Sequence, residues 1–256
     1  MRTSAEFRPA QSIDEVLARL DDIVDHAFAE RDRLGFFAVL YRTVTRAVKQ
    51  GIAAGRFEDG PRMERLDVAF ANRYLHAFHE HRTGGTATAS WRVAFAVAKS
   101  RREVIMQHLL LGMNAHINLD LGIAAAETSP GAELPALRRD FDAINAILAE
   151  MIDEVQDRIA RISPWMTLID RVGFRDDEAI CSFCIDRARD VAWRSATVLA
   201  PLPSGARDAA IVAMDATVAL LAAPIRTPPP LTRAALLAVR ARESSDVGRV
   251  IDAMGM

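Results

Sequence analysis

A histidine and an aspartate, His116 and Asp120, lie four residues apart inside a nearly uncharged run at residues 104–126. Imidazole titrates near neutral pH, and a neighbouring carboxylate can orient it, so the pair could perform general acid–base catalysis. If the run forms a helix, side chains four apart are neighbours on its surface and can face one ligand. The pair is therefore the first candidate for a site.

The expected helix carries its ionisable groups on the wrong side. At about 100° per residue, His116 and Asp120 fall on the apolar half, and the polar stripe opposite holds neutral amides. This reverses the usual amphipathic order, and burying a charge without a partner is costly. Partners must come from other helices or from a bound ion. The alternative is that His116 and Asp120 form a buried pair with a purely structural role. Buried ionisable groups with shifted pKa values are more frequent at functional sites, but they also occur elsewhere.

The third predicted helix, residues 61–81, also carries polar side chains among its inward-facing ones. Asp67, Tyr74 and His81 are seven residues apart and share one line along the apolar stripe. Buried polar groups in folded proteins are almost always hydrogen-bonded. Asp67 and Tyr74 are therefore expected to meet partners on another helix.

The second predicted helix, residues 34–54, places two hydroxyl groups, Tyr41 and Thr45, on its apolar face. Because an unpaired buried polar group costs about 1–3 kcal/mol, such groups are expected to meet one another or a shared ligand. We predict one partly buried pocket whose catalytic candidates are His116, Asp120, Asp67, Tyr74 and Tyr41. The predicted substrate-binding residues are Asn114, His108, Thr45, Arg189 and Trp193.

An enzyme that needs no metal is the first functional hypothesis. His116 would act as general acid or base, and Asp120 or Asp67 would orient it or supply a second carboxylate. Tyr41 and Tyr74 would donate hydrogen bonds to a substrate oxygen. The apolar lining suits a small apolar or acyl-type ligand, and the reaction would be that of a hydrolase, a lactone-forming cyclase or an isomerase.

Two other classes of function stay open. The second class is a metal site that binds a divalent ion of Zn, Fe or Mn through nitrogen and oxygen ligands. Its candidate ligands are His108, His116 and Asp120, with Asp67 or His81. His108 lies about 80° around the helix from His116, so sharing an ion would need a bent helix. The third class is a non-catalytic binding or scaffold protein with a structural polar cluster.

Composition restricts partners and compartment. The 256 residues carry a formal net charge of −2, and basic residues are not interleaved with aromatics, so no nucleic-acid partner is expected. Residues 1–11 show no apolar core of a secretory signal, which predicts a cytoplasmic protein. The apolar runs 104–126 and 209–225 each contain an aspartate, which indicates buried helices rather than membrane spans. The oligomeric state stays open.

The pattern predicts an all-α fold: one multi-helix domain around a central buried helix at about residues 101–126, started by a capping box of Ser100 and Glu103. Residues 1–11 are expected to be a flexible arm, 12–225 the domain, and 226–256 a C-terminal helical extension packed on it or tethered to it. Cys181 and Cys184 share an apolar helix face and are expected to be reduced core residues.

Three stretches resemble the family called domain of unknown function 5995, a mainly bacterial family with fungal relatives. The similarity centres on Gly-Met-Asn-Ala-His-Ile followed by Asp-Leu within residues 109–121, with softer matches at 36–45 and at 66–71 followed by Tyr74. It covers roughly residues 12–225 and implies no activity. The resemblance also implies a role for Asn114, which the helical wheel places opposite His116. A bacterial source is further indicated by the use of Arg for nearly all basic residues.

Overall fold

The computed structural model describes residues 6–164 and 185–255, and within these ranges the chain forms helices and no strand, which confirms the all-α prediction. Cys181 and Cys184 lie outside the described residues. The helices are α1 (Ile13–Glu30), α2 (Gly35–Ala53), α3 (Gly60–Thr83), α4 (Ala89–Ala98), α5 (Ile105–Ala115), a π-helical segment (His116–Leu121), α6 (Gly122–Thr128), α7 (Leu134–Ala160), α8 (Ile185–Leu199), α9 (Ser204–Leu221), α10 (Ala223–Arg226), α11 (Pro230–Arg240) and α12 (Val247–Gly255).

Local sequence signals set several helix ends. The Ser12 hydroxyl accepts a hydrogen bond from the amide of Glu15 at 3.2 Å and starts α1. Asp59 does the same for the amide of Arg62 at 2.9 Å and starts α3. α3 ends at Gly84, whose φ of 81° lies in the left-handed region that glycine adopts without strain. These caps are short-range, so the sequence pattern predicts them well.

The central helix begins later than the capping box at Ser100 predicted. It starts at Ile105, and its first amides are satisfied by side chains outside that box. Oε1 of Gln107 accepts from the amide of Val104 at 3.1 Å, and Oε2 of Glu243 accepts from the amide of Ile105 at 2.9 Å. A carboxylate 138 residues away thus fixes this helix end, and no local pattern encodes that contact.

Two glycines let other helices approach the central helix closely. A Cβ atom on Gly112 would come within 2.5 Å of the Phe37 ring on α2. A Cβ atom on Gly122 would come within 2.7 Å of the Ala192 carbonyl oxygen on α8. Helices α2 and α8 therefore pack against the segment that contains His116 and Asp120.

The ends of the described chain are part of the packed structure. Ala10, in the predicted arm, is buried and exchanges two hydrogen bonds with Asn72 of α3, at 2.7 and 2.9 Å. Val250 and Ile251 of α12 lie in the hydrophobic core with α1 and α2. The predicted C-terminal extension therefore supplies part of the core around the site.

Helix α9 is apolar but largely uncovered. Val212 and Leu220 are 70% and 74% exposed, and Val218 is its one buried residue. Within the described ranges, two helices have the length and apolar composition to cross a membrane. One is the central helix, Ile105–Thr128, whose apolar 18-residue window is 78% buried, and the other is Ser204–Arg226, whose corresponding window is 17% buried.

Candidate active site

A π-helical segment, His116–Leu121, interrupts the central helix between α5 and α6. The sequence pattern predicted a central helix here but not this change of winding. Hydrogen bonds in a π-helix join residues five apart, so positions after His116 no longer follow the α-helical wheel. Such segments are rare and often lie at functional sites. This one begins at His116 and contains Asp120, so it sets the relative position of both side chains.

The carboxylate of Asp120 is 1% exposed and bound by donors from three elements. Oδ1 accepts from Nε of Arg73 on α3 at 3.0 Å. Oδ2 accepts from the indole nitrogen of Trp91 on α4 at 2.7 Å and faces Nδ1 of His116 at 3.4 Å. The Arg73 guanidinium supplies the countercharge that a buried carboxylate needs. Asp120 is thus fixed in place from outside its own helix.

The imidazole of His116 lies in an aromatic box. The Phe70 ring stacks on it at 3.6 Å between centroids with an interplanar angle of 7°. Tyr41 lies at 4.4 Å and Tyr74 at 6.2 Å, both edge-on. Phe37 closes a further side at 5.6 Å. The ring is therefore held in one orientation by packing as well as by Asp120.

Burial favours the neutral form of His116. Desolvation lowers the pKa of the imidazole, and the nearby Asp120 carboxylate only partly opposes this effect. A neutral ring that donates from Nδ1 to Asp120 carries its lone pair on Nε2. Nε2 has no hydrogen-bond partner among the residues that the structure describes. His116 is thus arranged as a proton acceptor.

Near His116, further buried polar atoms without a hydrogen-bond partner in the described part of the chain are Oδ2 of Asp67 and the hydroxyls of Tyr41 and Tyr74. Burial raises the pKa of Asp67 to about 7, and the nearby Glu64 adds to the effect. Burial likewise raises the pKa of both tyrosines. Unpaired buried groups of this kind are uncommon and each calls for a physical explanation. A ligand that hydrogen-bonds to them is one.

A cavity of about 720 Å³ lies beside these groups. Its walls are mostly aliphatic and aromatic, and they come from α2, α3, the central helix, α7 and α8. His116, Asp67 and Tyr41 line it together, whereas Tyr74 lies behind them against Trp91, at 5.0 Å between ring centroids. The volume is that of a small-molecule site.

Two predicted substrate-binding residues are used for structure instead. The amide nitrogen of Asn114 donates to the Val218 carbonyl of α9 at 2.9 Å, and its oxygen accepts from Asn118 at 3.0 Å. The hydroxyl of Thr45 donates to the carbonyl of Tyr41 at 3.0 Å. Neither Asn114 nor Thr45 lines the cavity.

His108 also lies away from the cavity lining, with its ring edge-on to Phe36 at 5.6 Å. Burial lowers its pKa to about 3, so it is neutral. Its position does not fit the predicted substrate contact.

Arg189 and Trp193, two of the predicted substrate-binding residues, each stack on a different partner. The guanidinium of Arg189 lies 4.5 Å above the Phe141 ring, and Arg138 lies over Trp193 at 4.9 Å. Arg189 lines the cavity and Trp193 does not.

The alternative metal ligands do not converge. In residues 6–164 and 185–255, no three His, Cys, Asp or Glu side chains are placed to hold one ion. Asp120 is occupied by Arg73 and Trp91, and His81 packs against Phe95 at 4.9 Å. The ligand set of His108, His116 and Asp120 is therefore not assembled in this fold.

Sequence reasoning missed Arg73, Trp91 and Phe70 as parts of the site. Phe70 belongs to the apolar stripe of α3, which indicates burial but not contact with His116. Arg73 precedes Tyr74 in the chain and reaches Asp120 because its side chain is long. A buried carboxylate implies a cationic partner, but the sequence offers 32 basic residues and no way to choose among them.

Comparisons with known proteins give a family and no activity. A model for a family of unknown function, DUF5995, matches residues 13–228. A search of curated proteins gave no match. A search of solved structures gave none either. Because the family model matches most of the sequence, the chain belongs to the DUF5995 family, as the resemblance at residues 109–121 predicted.

Proposed function

We propose that this protein is an enzyme that moves a proton within a small, mostly apolar substrate, as an isomerase does. The observation that carries the proposal is the presence of a neutral base and a neutral acid on the wall of one apolar cavity. The base is His116, and the acid is Asp67, whose raised pKa of about 7 keeps much of it protonated at neutral pH.

The two groups suit a concerted proton shift. Nε2 of His116 would remove a proton from a carbon next to a substrate carbonyl, while the Asp67 carboxylic acid donates its proton to the carbonyl oxygen. The Asp67 carboxylate would then take the hydroxyl proton back, and the imidazolium would return its proton to a different carbon of the conjugated enol, which gives the isomer. The Tyr41 hydroxyl would donate a hydrogen bond to the same oxygen. Separation of pKa values by environment is a general way to assign acid and base roles.

Asp120, Arg73 and Trp91 are positioning residues in this scheme. Asp120 fixes the Nδ1–H tautomer and stabilises the imidazolium that forms, while Arg73 and Trp91 hold the carboxylate. Because His116 is neutral and Asp67 is partly protonated at neutral pH, these two groups add little unpaired charge next to the apolar walls.

Solvent deuterium exchange tests the proposal without knowledge of the natural substrate. A panel of apolar ketones, lactones and acyl thioesters is incubated with the protein in D₂O, and deuterium incorporation at carbon is measured by mass spectrometry. We expect enzyme-dependent incorporation into at least one compound and a loss of about 100-fold or more in His116→Gln.

The alternative is a non-catalytic protein that binds apolar ligands, and the apolar walls of the cavity favour it as the second candidate. Compounds that bind to the cavity but exchange no proton would support it. If deuterium incorporation persists in a folded His116→Gln protein, His116 is not the base. Asp22→Asn, at an exposed position on α1, is the matched surface control and should exchange like wild type.

A further inference from the structure

A second polar feature of the cavity is the side chain of Arg189, which is 6% exposed and lies on the α8 wall. Its Nε donates to Oδ1 of Asn145 at 2.5 Å, and a terminal nitrogen donates to the backbone carbonyl of Phe141. Both acceptors are neutral. Within the described ranges, no carboxylate lies within 4.0 Å of the guanidinium nitrogens.

The acidic residues near Arg189 do not neutralise it by contact. Asp142 and Asp190 face Arg138, with nitrogen–oxygen distances of 2.6 and 3.9 Å. Asp186 lines the cavity but is exposed. Burial lowers the pKa of Arg189 to about 10, so the group stays charged at neutral pH. Among the described residues that line this apolar cavity, Arg189 is thus a buried cation without a direct counterion.

We propose that Arg189 binds the carboxylate of an apolar carboxylic acid whose hydrocarbon part fills the cavity. A guanidinium matches a carboxylate through two parallel hydrogen bonds, and such charge-assisted bonds are strong when buried. Asn145 of α7, already bonded to Arg189, also lines the cavity and helps to hold the guanidinium in place. An apolar carboxylic acid would then be the substrate class of the proposed enzyme. The role of such an acid as substrate rests on the proposed function, but its binding at Arg189 can be tested without any reaction.

Calorimetry with decanoic acid and decan-1-ol at pH 8 tests the proposal. We expect wild type to bind the acid at least about 10-fold more tightly than the alcohol, and Arg189→Met to lose this preference while it still binds the alcohol. Arg138→Met, which changes a cation outside the cavity lining, should keep the preference. Arg189→Lys, which keeps the charge but not the paired geometry, should show a reduced preference and decides the matter if Arg189→Met does not fold.

Equal binding of acid and alcohol to wild type, binding of neither, or an unchanged preference in the Arg189 variants would overturn the proposal. The variant His116→Gln distinguishes failure of carboxylate binding at Arg189 from failure of the proposed catalysis. If Arg189 is the anchor, His116→Gln keeps the preference for the acid whether or not wild type exchanges deuterium.

A second inference concerns the outer face of α9, which presents exposed apolar side chains and no charge between Asp208 and Arg226. Asp215 points inward and caps α4 by accepting from the amides of Ala89 and Ser90 at 2.6 and 2.9 Å. The exposed apolar residues include Ala209, Val212, Ala213, Ala216 and Leu220.

Asp208 lies in the first turns of α9, and Arg226 ends α10, so opposite charges stand at the two ends of this apolar face. The inner face of α9 extends into α10, since buried side chains follow one another at helical spacing at Val218, Ala222 and Ile225. In the described part of the chain, neither Asp208 nor Arg226 forms an ion pair.

We infer that two copies of this chain pack their α9 helices antiparallel about a two-fold axis. Asp208 of one copy then faces Arg226 of the other at both ends of the contact, as a self-complementary interface requires. The centre falls at Thr217, so the small Ala213 and Ala216 lie near Leu220 of the other copy. A parallel pair would instead place like charges at the same end of the contact.

Sedimentation equilibrium of wild type and charge-swap variants tests this inference. Wild type should be a dimer, Asp208→Arg and Arg226→Asp should each weaken dimerisation at least about 10-fold, and the double variant should restore it. A monomeric wild type, or single variants that dimerise like wild type, would overturn it. The inference would also be overturned if wild type is a monomer that binds phosphatidylcholine vesicles and Leu220→Glu abolishes this vesicle binding.

Discussion

The indole nitrogen of Trp91 lies 2.7 Å from Oδ2 of Asp120, the same oxygen that faces Nδ1 of His116 at 3.4 Å. Arg73 holds the other oxygen at 3.0 Å. Because donors on α3 and α4 fix the carboxylate, it can orient the imidazole without moving toward it. The site thus consists of a base, His116, and a support that reaches it from two other helices.

Asp120→Ala is expected to lower the free energy of unfolding by about 3–5 kcal/mol, because it leaves the Arg73 guanidinium and the Trp91 indole without their acceptor. Urea denaturation measures the change. Glu127→Ala is the control, since Glu127 lies 3.9 Å from Arg73 and is 44% exposed, and it should cost at most about 1 kcal/mol. A cost for Asp120→Ala no larger than that of the control would show that the carboxylate is not held as described.

Tyr41→Phe and Tyr74→Phe form a matched pair. Both hydroxyls are buried without a partner in the ranges the structure describes, so removal of either should leave stability unchanged or raise it by up to about 1 kcal/mol. Tyr41 lines the cavity and Tyr74 does not. Deuterium exchange or ligand affinity should therefore fall in Tyr41→Phe alone. Equal losses in both variants would argue against a ligand contact by Tyr41.

Asp67→Asn should change how stability depends on pH. The folded pKa of Asp67 is raised to about 7, whereas an unfolded Asp titrates near 3.9. Between these values the unfolded chain has lost a proton that the folded protein keeps, so this group makes stability fall as pH rises, by up to about 1.4 kcal/mol per unit. The advantage of Asp67→Asn over wild type in urea should thus grow from pH 5 to pH 7. A constant difference, as expected for the exposed Asp22→Asn, would contradict the raised pKa.

Asn114→Ala is expected to act on stability rather than on the reaction. The side chain joins the central helix to α9 through the Val218 carbonyl, and its loss leaves that buried acceptor unpaired at about 1–3 kcal/mol. Deuterium exchange per folded molecule should stay within about twofold of wild type. A larger fall in a folded protein would restore Asn114 as a substrate contact.

Much of the fold follows from short-range patterns. The second helix was predicted at residues 34–54 and is found at Gly35–Ala53, because apolar periodicity and a following glycine define it locally. The π segment at His116–Leu121 was not predicted. Its winding accompanies contacts with other helices, such as the stack with Phe70 and the approach of α8 at Gly122, which a helical wheel does not contain.

The candidate site was predictable where a polar group sits on an apolar helix face, as His116, Asp67 and Tyr41 do. The helical wheel also placed Asn114 opposite His116, and there its amide binds α9. Arg73 was not predictable, because its contact with Asp120 depends on the distance between two helices. The carboxylate of Glu243 at the start of α5 escaped prediction for the same reason.

The protonation state of His116 is the most direct measure of whether this side chain is the base. Long-range ¹H–¹⁵N correlation spectra of ¹⁵N-histidine-labelled protein at pH 7, with His116→Gln for assignment, report which ring nitrogen carries the proton. We predict a neutral ring with the proton on Nδ1 and an unprotonated Nε2 that shifts when an apolar ligand enters the cavity. An imidazolium, or a proton on Nε2, at pH 7 would contradict the assignment of His116 as the base.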